Sequence, residues 1–168
     1  MKTTRDLTAA AVAAALYTVL TLLQSLLFPG SASMAIQFRL SEALCVLALL
    51  TPSAIYGLSV GCLLSNLLSS AALPLDFLIG TLATALATAA MYALRNVRLF
   101  RLPLPSLLMP ALFNALLVGA ELTYCFGELP FALNALYVAV GETAVLLAAG
   151  LPLWALLKNG RLSGLLRR

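Results

Sequence analysis

The 168-residue sequence has no histidine, only two lysines (Lys2 and Lys158) and only 10% charged residues. The missing histidine removes the commonest general base and the commonest metal ligand. Without it, no Ser, Cys or Thr can be activated as a His-paired nucleophile, and no acidic motif marks an intramembrane aspartyl protease. With lysine at positions 2 and 158 alone, no Walker A loop is present, so the chain carries no ATP-binding motor of this type. The three cysteines, Cys45, Cys62 and Cys125, lie in or beside apolar runs without metal-ligand spacing and read as small hydrophobes. These absences argue against an enzyme and against a bound metal.

The chain does have length without polarity. It is 62% hydrophobic with a mean hydropathy of +1.04, and its charge is far below the ~25% of soluble domains. Apolar runs of about 20 residues recur from end to end, each long enough to cross ~30 Å of hydrocarbon as helix. The class is an all-α integral membrane protein, a single transmembrane domain over 1–168, with spans at 7–28, 39–51, 53–71, 76–94, 104–125 and 131–157. The first is longer than a signal-peptide apolar region and no clear cleavage site follows it, so it reads as a retained span.

The second span is short, and 39–71 can be read as one Pro-broken span or as two. Charge parity separates the readings. With two crossings and an inside N-terminus, Lys2, Arg5, Arg95, Arg98, Arg101, Lys158, Arg161, Arg167 and Arg168 are all cytoplasmic, as the positive-inside rule asks. With one crossing, seven of these nine fall outside. Six transmembrane helices with cytoplasmic N- and C-termini follow, and the net charge of +4 becomes an orientation signal rather than a nucleic-acid footprint.

The tenth basic residue, Arg39, falls on the outer side three residues before Glu42. Helical spacing predicts that the two form an ion pair that anchors the preceding loop. Other polar residues at membrane depth are Asn66, Asp76, Asn114, Glu121, Asn134 and Glu142. Intramembrane ionisable groups are functional candidates by default, and their placement suggests an outward-opening pocket; interhelical hydrogen bonding is the alternative. Tyr124, Phe126 and Tyr137 are candidates for stacking on a flat ligand or for anchoring at the interface. The first span offers three small-residue registers, Ala9/Ala13, Ala10/Ala14 and Ala11/Ala15. The third has Gly57, Gly61, Ser65 and Ser69 at the same spacing, and such faces let helix backbones approach closely.

The blocks "QFRLSEALCVLALLTPSAIYGLSVGCLLSNLL" (37–68), "DFLIGTLATALATAAMYALR" (76–95), "FNALLVGAEL" (113–122) and "LNALYVAVGETAVLLAAGLPL" (133–153) resemble the QueT family. Its members are S-components, the substrate-binding subunits of energy-coupling factor (ECF) transporters, linked to queuosine precursors. The resemblance implies a six-helix S-component fold in the cell membrane of a prokaryote. It also implies partners: a transmembrane coupling subunit (EcfT-like) and two cytoplasmic ATPases that use the ATP, with no cofactor in this chain. The implied ligand is a 7-deazaguanine such as preQ1, preQ0 or queuine. A related flat heterocycle, or a ligand-free assembly role, is the alternative. Gln37, Arg39, Glu42, Asn66, Asp76, Asn114, Glu121, Tyr124, Asn134 and Glu142 are the expected ligand-binding residues, under a lid formed by 29–38. The resemblance also assigns docking of the coupling subunit to the first helix, with Ala9, Ala10, Ala11, Ala13, Ala14 and Ala15 as candidates.

Overall fold

The computed structural model describes residues 3–29, 38–69 and 75–159. Gln37 and most of the expected lid lie outside the described residues. Within them the chain is helical: α1 (Thr4–Leu27), a 3-10 segment (Leu40–Leu49), α2 (Ser53–Leu68), α3 (Asp76–Ala93), a short α4 (Leu104–Leu107), α5 (Met109–Phe126), α6 (Phe131–Val145), a π turn (Leu146–Gly150) and α7 (Leu151–Asn159). Four stretches are long and apolar enough to cross a membrane: Thr4–Leu27, Asp76–Ala93, Leu104–Phe126 and Phe131–Lys158.

Local chemistry sets the helix ends. Thr3 caps α1 by accepting the Asp6 backbone N–H at 3.2 Å, and Asp6 adds its charge to the positive end of the helix. α5 ends at Gly127, whose φ of 63° is the left-handed conformation that closes a helix C-terminus. In the last span Pro152 has no N–H to donate and its ring crowds the preceding turn, and the π turn immediately before it absorbs that misfit.

The short second span is a 3-10 helix, which rises ~2.0 Å per residue and so covers about 20 Å in ten residues. Ser41, Glu42, Ala43, Cys45, Val46, Ala48 and Leu49 are all buried, which makes it a central strut rather than a lipid-facing helix. Its start is held by Gln24 of α1, whose Oε1 accepts from the Leu40 N–H at 2.8 Å while its Nε2 donates to the Phe38 carbonyl.

The chain reverses after this strut. Tyr17 of α1 bonds Glu42 at 2.5 Å and also lies against Gly61 of α2. A single straight helix would hold residues 42 and 61 about 28 Å apart. Both reach the same tyrosine, so the strut and α2 fold back beside each other around Thr51 and Pro52. The two ends of the described chain consequently meet: Arg5, Thr8, Ala9, Thr51 and Leu157 line one groove of about 360 Å³.

α1 packs chiefly on α2, α2 on α3, α3 on α5, and α5 on α6. In lipid such contacts rest on close van der Waals approach rather than on expulsion of water. A Cβ added at Gly57 would sit 2.3 Å from the Ala10 carbonyl oxygen, and one at Gly61 would sit 2.8 Å from that of Ala14. The Ala10/Ala14 register therefore faces α2. Leu7, Val19, Leu26 and Leu78 point outward to the surroundings.

The interior is divided along the bundle axis. Near the Thr51–Pro52 turn it is apolar, with Val46, Leu58, Met91, Leu107, Leu146 and Trp154 packed together. Arg98 and Lys158 stack on Trp154 at 5.2 and 5.0 Å from the ring centroid, which places this end near the basic residues. The opposite half holds the polar groups.

Candidate functional site

At the polar end, the start of the 3-10 strut, the end of α2, the start of α3 and the end of α5 bring Arg39, Asn66, Asp76 and Glu121 together. Arg39 lies 3.5 Å from Asp76, with both side chains buried. Asn66 donates to the Asp76 backbone carbonyl at 2.8 Å, tying α2 to the first turn of α3. Glu121 lies against Asp76 and within electrostatic reach of Arg39, and no N–H or hydroxyl group of the described residues bonds its carboxyl oxygens.

Deeper in the bundle is a second group. Asn114 donates to Glu142 Oε1 at 3.1 Å, leaving Asn114 Oδ1 and Glu142 Oε2 buried without partners. Glu142 is acted on by the charges of Glu42 and Arg39. Glu42 is fully buried and already committed: its Oε1 accepts from Tyr17 and its Oε2 from the Cys45 thiol at 3.1 Å. Asp76, Glu121 and Glu142 thus interact with one arginine, while Glu42 is bonded to Tyr17 and Cys45.

One expectation is corrected, and the structure places the other expected residues as follows. Arg39 pairs with Asp76, not Glu42. Arg39 is the N-cap of the strut in an extended conformation (φ −97°, ψ 95°), so the face-sharing rule for helical neighbours does not apply to it. Tyr124 is 83% exposed on the last turn of α5, whereas Asn114, Glu121 and Glu142 are buried. Ala10, Ala13 and Ala14 are buried within the chain, which removes them from any free docking face; Ala11 and Ala15 remain exposed and Ala9 is half-buried. Asn134, though buried, gives its amide to Thr123 Oγ1 at 2.9 Å and to the Leu129 carbonyl at 3.3 Å, and so fastens α6 to the end of α5.

Tyr17, Gln24 and Cys45 were not among the expected site residues. Tyr17, Thr21 and Gln24 recur at positions i, i+4 and i+7, a polar stripe through the first span that marks its inner face. Cys45 looks apolar by composition but serves as a thiol donor to a buried carboxylate.

Among the described residues, no group of three or more His, Cys, Asp or Glu is arranged to hold a metal ion. The family model described as QueT transporter matches residues 7–159. No curated protein and no solved structure matches the chain. The match covers nearly the whole sequence, and the helical bundle with its buried polar end accords with it: the chain belongs to the QueT transporter family, whose members are substrate-binding S-components of ECF transporters and not enzymes.

Proposed function

We propose that the chain is the high-affinity binding subunit of an ECF importer for a queuosine precursor, a 7-deazaguanine held in the buried polar cluster. The observation that supports this most directly is Glu121, a buried carboxyl group on an apolar helix that faces Asp76 and accepts no hydrogen bond from an N–H or hydroxyl group of the described residues. Burying a charge without partners is costly, so such a group is expected where a ligand supplies the donors. A 7-deazaguanine offers adjacent N–H groups along one edge, which a carboxylate accepts as a bidentate pair, and a carbonyl suited to Arg or an amide. In this reading Arg39 serves the carbonyl side, while Asp76 holds Arg39 in place and Asn66 fixes the backbone of Asp76.

The polar end faces outward. Arg5, Arg95, Arg98 and Lys158 belong to the other end of the bundle, which the positive-inside rule assigns to the cytoplasm. Coupling to the transmembrane subunit and its ATPases is then made from α1, on the face carrying Ala11 and Ala15, since Ala10 and Ala14 are taken by α2.

The test separates binding from transport. Ala11→Trp or Ala15→Trp should leave ligand affinity within about 2-fold of wild type, yet abolish copurification with the coupling subunit and ATP-dependent uptake in reconstituted vesicles. Ala10→Trp should instead damage folding, because its side chain has no space beside Gly57. Full uptake by both Ala11→Trp and Ala15→Trp would remove that face from the docking role.

A further inference from the structure

The turn between α3 and α4 is built against the preference of its own residues. Leu99 and Leu102 exchange both backbone hydrogen bonds at 2.9 Å, closing a two-residue hairpin whose central positions, Phe100 and Arg101, have φ of 51° and 66°. A hairpin turn with positive φ at both centres is ordinarily made by Asn-Gly or Asp-Gly, because a larger side chain crowds the backbone there. Among the described residues, no other non-glycine residue has a positive φ. Strain of this kind persists where the surroundings over-determine it, and it collects at functional positions.

The surroundings do hold the hairpin. Ser106 Oγ donates to the Leu94 carbonyl at 2.6 Å, the Val97 N–H bonds the same carbonyl at 2.9 Å, and Leu102 packs on the apolar core that contains Trp154. That frame projects Phe100, which is 84% exposed, with Leu99 and Val97 also exposed behind it. The strained turn thus keeps an apolar side chain off a core that lies two residues away.

Depth and charge identify what covers it. α3 is long and apolar enough to cross a membrane and ends at Ala93. Just beyond, Arg95 lies over the Tyr92 ring at 4.0 Å and Arg98 over Trp154 at 5.2 Å, the pairing of cation and aromatic that marks the edge of the hydrocarbon. Two residues of chain reach at most about 7 Å from Leu102. The headgroup layer on each side of the hydrocarbon is about 5–8 Å thick, so Phe100 stays within it. No acidic residue occurs between Asp76 and Glu121. Asp6, the acidic residue at this end of the bundle among those described, is on α1, which packs chiefly on α2. Arg98 and Arg101, both exposed, therefore flank Phe100 without a carboxylate in their own segment.

We propose that the Leu99–Leu102 hairpin is a membrane-interface anchor: Phe100 enters the boundary between headgroups and acyl chains at the basic end of the bundle, and Arg98 and Arg101 bind the phosphates of anionic phospholipids. A guanidinium meets a phosphate through paired N–H donors, and basic residues beside a span draw such lipids to it. The anchor sets the depth of the α3–α5 side of the bundle and is independent of the ligand assigned to the polar end.

Phe100→Trp in lipid nanodiscs tests it, with the wild-type emission of Trp154 subtracted. The discs are phosphatidylcholine alone or with added phosphatidylglycerol, and the opposing quenchers are acyl-brominated lipid and aqueous acrylamide. With phosphatidylglycerol the added emission should be blue-shifted, lost to brominated lipid and insensitive to acrylamide. Combining Arg98→Gln and Arg101→Gln should abolish the difference between the two lipid compositions. Replacing the strained pair by Phe100→Asn with Arg101→Gly, which suits the turn, should raise the melting temperature in detergent but cancel the further rise that phosphatidylglycerol gives the wild type. Emission quenched by acrylamide and spared by brominated lipid in both discs would overturn the proposal, and so would shielding of the position only in the presence of the coupling subunit. Equal insertion in both lipids would overturn the role of the arginines.

Discussion

Arg39→Ala should destabilise the protein by about 3–5 kcal/mol, the usual consequence of stripping one partner from a buried ion pair. The figure belongs at the upper end of that range, because among the described residues Arg39 is the cation that acts on Asp76, Glu121 and Glu142, and its loss leaves those buried groups without it. Asp76→Asn should be milder: the guanidinium it leaves behind remains under the charges of Glu121 and Glu142 and can still bond the Asn carbonyl. Arg39→Lys should fall between, keeping the charge but losing the planar fork. Thermal unfolding in detergent measures all three. An Arg39→Ala variant as stable as Asp76→Asn would mean that Arg39 does not neutralise the cluster as a whole.

Gly57→Leu should prevent stable assembly of the bundle. The atoms a side chain would meet are the Ala10 backbone, with the carbonyl oxygen at 2.3 Å and the carbonyl carbon and Cα at 2.9 Å. No rotamer change relieves such a clash; the two helices must separate. Overpacking a core commonly costs ~1–3 kcal/mol, and a clash against helix backbone should exceed that. The same separation would pull Tyr17 away from Glu42, so loss of ligand binding should accompany loss of stability. Tyr56→Leu, one position earlier but exposed, is the control and should behave as wild type. A Gly57→Leu variant with an unchanged melting temperature would contradict the α1–α2 packing.

Much of this organisation is legible in the sequence because membrane proteins place polar residues under strong constraint. Six legs are expected from apolar length and charge parity; the reversal at Thr51–Pro52 divides 39–71 into two separate helices, and four of the helical stretches are long and apolar enough to cross a membrane. Asp76, Asn114, Glu121 and Glu142 stand out as polar residues in apolar helices, and all four belong to the buried cluster. Pairings are less legible. The Arg39–Asp76 contact joins positions 37 apart in the chain, and the local i, i+3 rule points to Glu42 only if Arg39 is helical, which its backbone angles show it is not. The three alanine registers of α1 are equivalent as sequence. Only the position of Gly57 and Gly61 on the neighbouring helix decides that Ala10 and Ala14 turn inward. Tyr17 is less legible still, because a tyrosine among alanines and leucines reads as a hydrophobe, while its hydroxyl donates to Glu42 only through the tertiary fold.

The most direct test of the central claim is equilibrium titration of the purified wild-type protein, without partner subunits, against an aminomethyl 7-deazaguanine. If the buried carboxylates form a ligand site, binding should be saturable at one base per chain, with a Kd at or below about 1 μM, equivalent to roughly −8 kcal/mol. Absence of saturable binding by this base and its nitrile and unsubstituted analogues, in protein shown to be folded, would contradict the account.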